Sequence, residues 1–197
     1  MKNSALLSLA FLALAAAPAA EAQDGTAYYG LSIGEFDYSD ALFSNVAPFS
    51  DSVSTWHLMV GYQFLEHLSV EGAYGESKTI RATQMVGGSV LQPPDELTYE
   101  TGLDRILTIR LLGVLPFEDA GISLMAGLGY ADVKQEIDLT VNRQPFVSGD
   151  ASANNPTYYA AVQYDWERVA VRLGYEKYDF DGDVDAEETS LTFFYKL

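Results

Sequence analysis

The sequence predicts an all-β protein, an eight-stranded antiparallel up-and-down β-barrel that crosses a membrane. Three observations carry the prediction. Apolar residues recur at every second position in eight separate stretches, with no helical period between them. The connections between those stretches alternate long and short. One face of the strands is crowded with Gly and Ala, while the other carries Leu, Tyr and Trp.

The N-terminus comes first. Met1 to Ser4 carries one Lys, Ala5 to Ala17 contains only Ala, Leu, Phe and a single Ser, and Ala20-Glu21-Ala22 has the small-x-small form of a cleavage site. This is expected to be a secretory signal peptide over residues 1–22, cleaved after Ala22, with the barrel domain over residues 23–197. The apolar run is shorter than the ~20 residues a membrane helix needs, and no later stretch could serve as one. A membrane location would therefore require strands.

The first strand is expected over Thr26 to Tyr38, with Ala27, Tyr29, Leu31 and Ile33 on one face and Tyr28, Gly30, Ser32 and Gly34 on the other. Ser39 to Val53, with scattered Ser, Asp, Asn and Pro, reads as a loop. Ser54 to Phe64 alternates cleanly, and Leu65-Glu66-His67 turns the chain into Leu68 to Glu76, a hairpin. Ser77 to Leu103 contains Gly87-Gly88 and Pro93-Pro94 and reads as a long polar loop.

Alternation returns from Leu103 to Leu115, turns over Pro116 to Gly121, and resumes from Ile122 to Leu139, whose end beyond Asp132 becomes charged. Thr140 to Pro156 reads as another long polar loop. Thr157 to Trp166 and Val169 to Tyr178 form a hairpin about Glu167-Arg168, and Asp179 to Ala186 is an acidic loop. The last strand, Glu187 to Leu197, alternates Thr189, Leu191, Phe193, Tyr195 and Leu197 with Glu188, Ser190, Thr192, Phe194 and Lys196. An open edge carrying Phe193-Phe194 would invite aggregation, so this strand is expected to close the sheet by pairing with the first.

Long connections all at one end suit an outer-membrane barrel, with short turns in the periplasm and long loops outside. Volume decides which face points outward. Eight strands enclose an interior just wide enough for side chains. The face with Gly30, Gly34, Gly61, Ala73, Gly75, Gly127, Gly129 and Gly174 fits that interior, and the Leu, Tyr and Trp face would overfill it. The apolar face must therefore meet lipid.

Composition excludes other classes. A net charge of −17 opposes nucleic-acid binding. The absence of Cys removes disulfides and thiolate metal sites. The 13 Tyr suit the aromatic girdles at membrane interfaces.

With these elements in place, the sequence resembles the small eight-stranded outer-membrane barrels of the outer membrane protein A and X type. Val60-Gly61-Tyr62-Gln63-Phe64, Val70-Glu71-Gly72-Ala73-Tyr74, Leu124 to Tyr130, Val162-Gln163-Tyr164 and Val171-Arg172-Leu173-Gly174-Tyr175 carry the resemblance. It implies insertion by the barrel-assembly machinery, which reads a C-terminal signal here formed by Leu191, Phe193, Tyr195 and Leu197. Leu197 departs from the terminal Phe or Trp usual in this type. The peptidoglycan-binding domain that follows the barrel of outer membrane protein A is not expected.

The small face also carries Glu71, Arg110, Arg172, Glu176 and Lys196. Charges in a narrow interior need partners, and the resemblance implies a lumenal salt-bridge network with Glu71 and Arg172 as its best-placed members. Asp179, Asp181, Asp183 and Asp185 are weak metal candidates. A calcium loop beginning at Asp179 would need Gly and Glu where Val184 and Ser190 stand. His57 and His67 are the only histidines, and Ser52 and Ser54 near His57 do not make a convincing nucleophile pair.

The expected function is a structural or surface-interaction role in the Gram-negative outer membrane, without catalysis or cofactor, the lumen plugged by polar and charged side chains. The expected partners are outer-membrane lipid, lipopolysaccharide and the assembly machinery. The alternatives are a narrow, low-conductance channel and a soluble lipocalin-like binder of an apolar ligand. The loops name no extracellular ligand.

Overall fold

A computed structural model of the chain describes residues 25–40, 50–87, 95–117, 120–179 and 184–197. The expected signal peptide, residues 1–22, lies outside the described residues. The strands are β1 (Thr26–Asp40), β2 (Ser50–Leu65), β3 (Leu68–Ser77), β4 (Ile80–Val86), β5 (Asp95–Phe117), β6 (Ile122–Val141), β7 (Gln144–Trp166), β8 (Val169–Asp179) and β9 (Val184–Lys196).

All pairings are antiparallel, and they close. β1 pairs with β9 from Tyr28↔Lys196 to Asp40↔Val184, and β3 pairs with β5 from Leu68↔Gly113 to Gly75↔Ile106. The ring runs β1-β2-β3-β5-β6-β7-β8-β9 and returns to β1. β4 lies beside the ring, laid on the outer part of β5 from Ile80↔Thr101 to Val86↔Asp95. The last strand thus completes the sheet with the first, and the two Phe of β9 divide between its faces: Phe193 is exposed and Phe194 buried.

Two expected loops are strands. Ser77 to Leu103 contains β4 and the first part of β5, and Thr140 to Pro156 is mostly the tip of a β6–β7 hairpin turned by Asn142-Arg143. Both turn residues have positive φ, 52° and 66°, as a two-residue hairpin turn of the primed type requires. Likewise Ser50 to Val53 belongs to β2, paired back to Ser39. These segments escape a period-of-two reading because the positions they bury are mostly polar, Thr98, Thr101 and Asn155 among them, so no continuous apolar face marks them. Their backbones pair because the ladder beneath them already fixes the register.

The asymmetry between the two ends is therefore one of strand length as well as loop length. β5 and β7 have 23 residues each, about 75 Å at roughly 3.3 Å per residue. An apolar band ~25 Å tall takes about ten tilted residues. About half of β5, β6 and β7 therefore rises past the ring as a sheet extension, at the end opposite the chain termini.

Along the ring, exposure alternates with the pleat. Tyr29, Leu31 and Ile33 face outward on β1, as do Leu111 and Leu115 on β5, Leu124 and Leu128 on β6, and Leu173 and Tyr175 on β8. The residues of opposite parity point inward and are buried or half-buried. The interior is filled by three groups: Phe36, Val53, Leu103, Ile106, Ala131, Val133, Tyr178 and Ala186 at the end away from the termini, Tyr28, Met59, Ala73, Ala170 and Phe194, and Leu112, Met125, Tyr159 and Ala161. Polar side chains lie among them.

Candidate functional site

The site is the polar core of the ring, set by alternation on strands whose register fixes which charges meet. Glu71 on β3 is fully buried, and Arg172 on β8 is 1% exposed. Arg172 Nη1 donates to Glu71 Oε1 at 2.5 Å, and Tyr28 OH donates to the same oxygen at 2.8 Å. Arg172 Nε donates to Gln163 Oε1 at 2.9 Å, and its guanidinium lies 4.2 Å from the Phe194 ring centroid. One guanidinium is thus bonded on one side and stacked on an aromatic ring on the other, an arrangement Lys could not reproduce.

A second group adjoins the first. Arg110 Nη2 lies 3.3 Å from Glu176 Oε2, and its guanidinium stands 4.4 Å over the Tyr159 ring. Glu188 accepts from Thr55 Oγ1 at 2.5 Å and from Tyr178 OH at 2.9 Å, and lies 2.6 Å from His57 Nε2. Glycine makes the room for these rings. A Cβ at Gly75 would run into the His57 imidazole, and one at Gly61 into the Tyr28 ring.

Of the charges singled out in the sequence, Glu71 meets Arg172 and Arg110 meets Glu176. Lys196 stands apart at the mouth nearest the termini, where its Nζ lies 2.6 Å from Asp165 Oδ1. A cavity of about 260 Å³ opens at this mouth, lined by Ser69, Met125, Gln163, Asp165, Arg172 and Lys196. Sequence reading missed Glu188, His57, Tyr178 and Tyr28 as members. Parity placed all four on the inner face, but alternation cannot tell which inward residues share a level. That needs the stagger between strands.

The remaining candidates are dispersed. Asp179 and Asp185 are cross-strand partners, and Asp181 and Asp183 lie outside the described residues. Among the described residues no group of three or more His, Asp or Glu is placed to hold a metal ion. Ser52 and Ser54 are exposed on the outer face of β2 while His57 points inward, and Ser52 Oγ donates to Glu35. His67 is exposed in the β2–β3 turn beside Glu66. Leu191, Phe193, Tyr195 and Leu197 all face outward, and the Tyr195 ring packs on Tyr29 with centroids 5.7 Å apart.

Comparison with known proteins agrees with this geometry. Ail, the attachment invasion locus protein of Yersinia pestis, crystallised with the heparin analogue sucrose octasulfate, is 16% identical over 89% of this chain and 100% of its own, with a TM-score of 0.57. Neisserial surface protein A is 10% identical over 89% of this chain and 100% of its own, with a TM-score of 0.58. At these identities the likeness is one of fold. No curated protein matches by sequence. Residues 6–196 match the outer membrane protein beta-barrel domain, and with an apolar outer wall on a closed antiparallel ring the chain belongs to that family, the outer-membrane β-barrels of Gram-negative bacteria.

Proposed function

We propose that this protein is a plugged, non-catalytic barrel whose membrane wall counts eight strands, with β4 an extracellular addition, and which serves the envelope structurally or presents its sheet extension to the outside. The observation that carries the reading is the paired charge in the interior. Glu71 with Arg172 and Arg110 with Glu176 cross the lumen, and an apolar cluster about Phe36, Val53 and Leu103 covers the end beyond them. A chain of water would have to displace both, so the narrow channel is the weaker reading. The lipocalin-like reading would need an open apolar cavity, whereas the interior is packed by side chains and crossed by paired charges, and most of the large apolar residues point outward. Recording current across planar bilayers tests this: the purified barrel should pass no resolved unitary steps, and reproducible steps from the folded protein would refute the plug.

The termini are assigned to the periplasm and the extension to the outside, following the rule that short turns face the periplasm. Processing after Ala22, passage through the assembly machinery on the Leu191, Phe193, Tyr195 and Leu197 pattern, and contact with lipopolysaccharide belong to the same proposal. Its outside chemistry differs from that suggested by Ail's polysulfated ligand. The extension carries Glu96, Glu100, Glu136, Asp138 and Asp150, and two of its cations are engaged, Arg81 with Glu100 at 2.9 Å and Lys134 with Asp104 at 3.1 Å. The hydrogen bond to Asp104 and its charge hold the Lys134 ammonium above its ordinary range. A polyanion would meet net negative potential there, so the surface partner is expected to be neutral or basic.

A further inference from the structure

Two carboxylates stand side by side in the lumen. Glu176 on β8 and Glu188 on β9 are direct cross-strand partners, each 3% exposed. Tyr178 OH lies between them, 3.4 Å from one and 2.9 Å from the other. Like charges directly opposite each other are destabilising, and a buried carboxylate without a counter-charge costs more still. Arg110 neutralises Glu176. Glu188 has His57, with Thr55 and Tyr178 as neutral donors.

The charges of the whole lumen make the same demand. Glu71, Glu176 and Glu188 face Arg110 and Arg172. Asp132 is also buried, but it is paired with Arg105 at 2.8 Å. With all three carboxylates ionised, the sum reaches zero when His57 is an imidazolium. Hydrogen bonding does not choose its state, because Nδ1 has no protein partner. Among the described residues no other cation is at hand: the cross-strand neighbours of His57 are Ser32 on β1 and Gly75 on β3. Beyond Glu188 on β9 lie Glu176 and Tyr178 on β8, Arg110 on β5 and Tyr159 on β7, and that guanidinium is already committed to Glu176.

We propose that His57 and Glu188 form a proton-operated latch across the lumen, closed while His57 is doubly protonated and weakened when it loses that proton. The stability contributed by the latch is therefore fully present at acid to neutral pH and is lost as pH rises. In strong acid the carboxylate of Glu188 is protonated and the latch loses its anion. The device is separate from the pairing of Glu71 with Arg172.

The test compares urea unfolding of the refolded barrel in detergent micelles at about pH 6 and about pH 9, on either side of the ordinary imidazole range. The wild type and His67→Gln, which changes only the exposed turn histidine, should each lose about tenfold in folding constant over that interval, the difference between a charge-assisted and a neutral hydrogen bond. His57→Gln keeps an N–H donor without a titrating proton and should show no such decline. The same decline in His57→Gln as in the wild type would overturn the proposal. Should that variant not fold, the imidazole resonances of the wild type decide: a cationic His57 at about pH 6 that titrates as Tyr178 shifts supports the latch, and a neutral His57 there overturns it.

Discussion

Replacing Glu71 with Ala would leave the Arg172 guanidinium, 1% exposed and over 100 residues away in sequence, without its anion in the middle of the wall. The side chain cannot swing to water, because Nε is bonded to Gln163 and its face is stacked on Phe194. Tyr28 loses its acceptor in the same step. Breaking a buried pair from one side costs about 3–5 kcal/mol, and the orphaned Tyr28 hydroxyl adds roughly 1–3 kcal/mol. Partial re-pairing of Arg172 within the lumen offsets some of this. The expected loss is about 3–6 kcal/mol, measured by urea unfolding in micelles with Trp56 and Trp166 as fluorescent reporters. Replacing both partners by Glu71→Leu with Arg172→Met should cost far less than Glu71→Ala alone, since neutral replacement of a buried pair is often tolerated. A loss below about 1 kcal/mol for Glu71→Ala would refute the account of the plug.

Other perturbations probe other parts. Leu173→Arg, on the outer face halfway along the membrane part of β8, should cost about 2–4 kcal/mol in lipid vesicles; Phe146→Arg, equally exposed but on the extension, should stay within about 0.5 kcal/mol. Gly75→Ala drives a methyl into the His57 ring and should lose about 1–3 kcal/mol by the same unfolding assay. Asp37 stands opposite Glu187 on the outer part of β1, and burial, Glu35 and Glu187 together raise its carboxyl above the ordinary range. A raised carboxyl favours folding most in acid and loses that contribution as pH climbs through the raised value. Asp37→Asn should therefore raise thermal stability at neutral pH by about 0.2–1 kcal/mol and flatten the decline between acid and neutral, read from melting curves across pH. Sucrose octasulfate should give no heat above dilution when titrated into the folded barrel.

The wall was legible in the sequence wherever one strand face met lipid and the other the lumen. Thr26 to Tyr38, Ser54 to Phe64 and Val169 to Tyr178 alternate because two different solvents flank them, and the volume argument assigned the faces. The extension was not legible. In Asp95 to Gly102 and Gln144 to Pro156 the buried positions are polar, Thr98, Thr101 and Asn155, Pro145 and Gly149 argue locally against a strand, and the pairing is inherited from below. The candidate site was half legible. Glu71, Arg110, Arg172 and Glu176 stand out as charges on a small face, and two ion pairs follow once they are confined together. The Glu188 partnership was hidden because it depends on the β8–β9 register, which sets Glu176 against Glu188 and brings His57 from β2 to the second of them.

The most direct test of a closed, lipid-facing ring is heat modifiability. Membrane fractions taken up in mild detergent are run on a gel with and without boiling, and the protein is followed through the fractionation. A band that sediments with the outer membrane and migrates faster unboiled than boiled is the expected result, because the pairing of β1 with β9 leaves no edge for detergent to open. A protein recovered in soluble form, with the same mobility before and after boiling, would contradict both the closure and the outward direction of the apolar face.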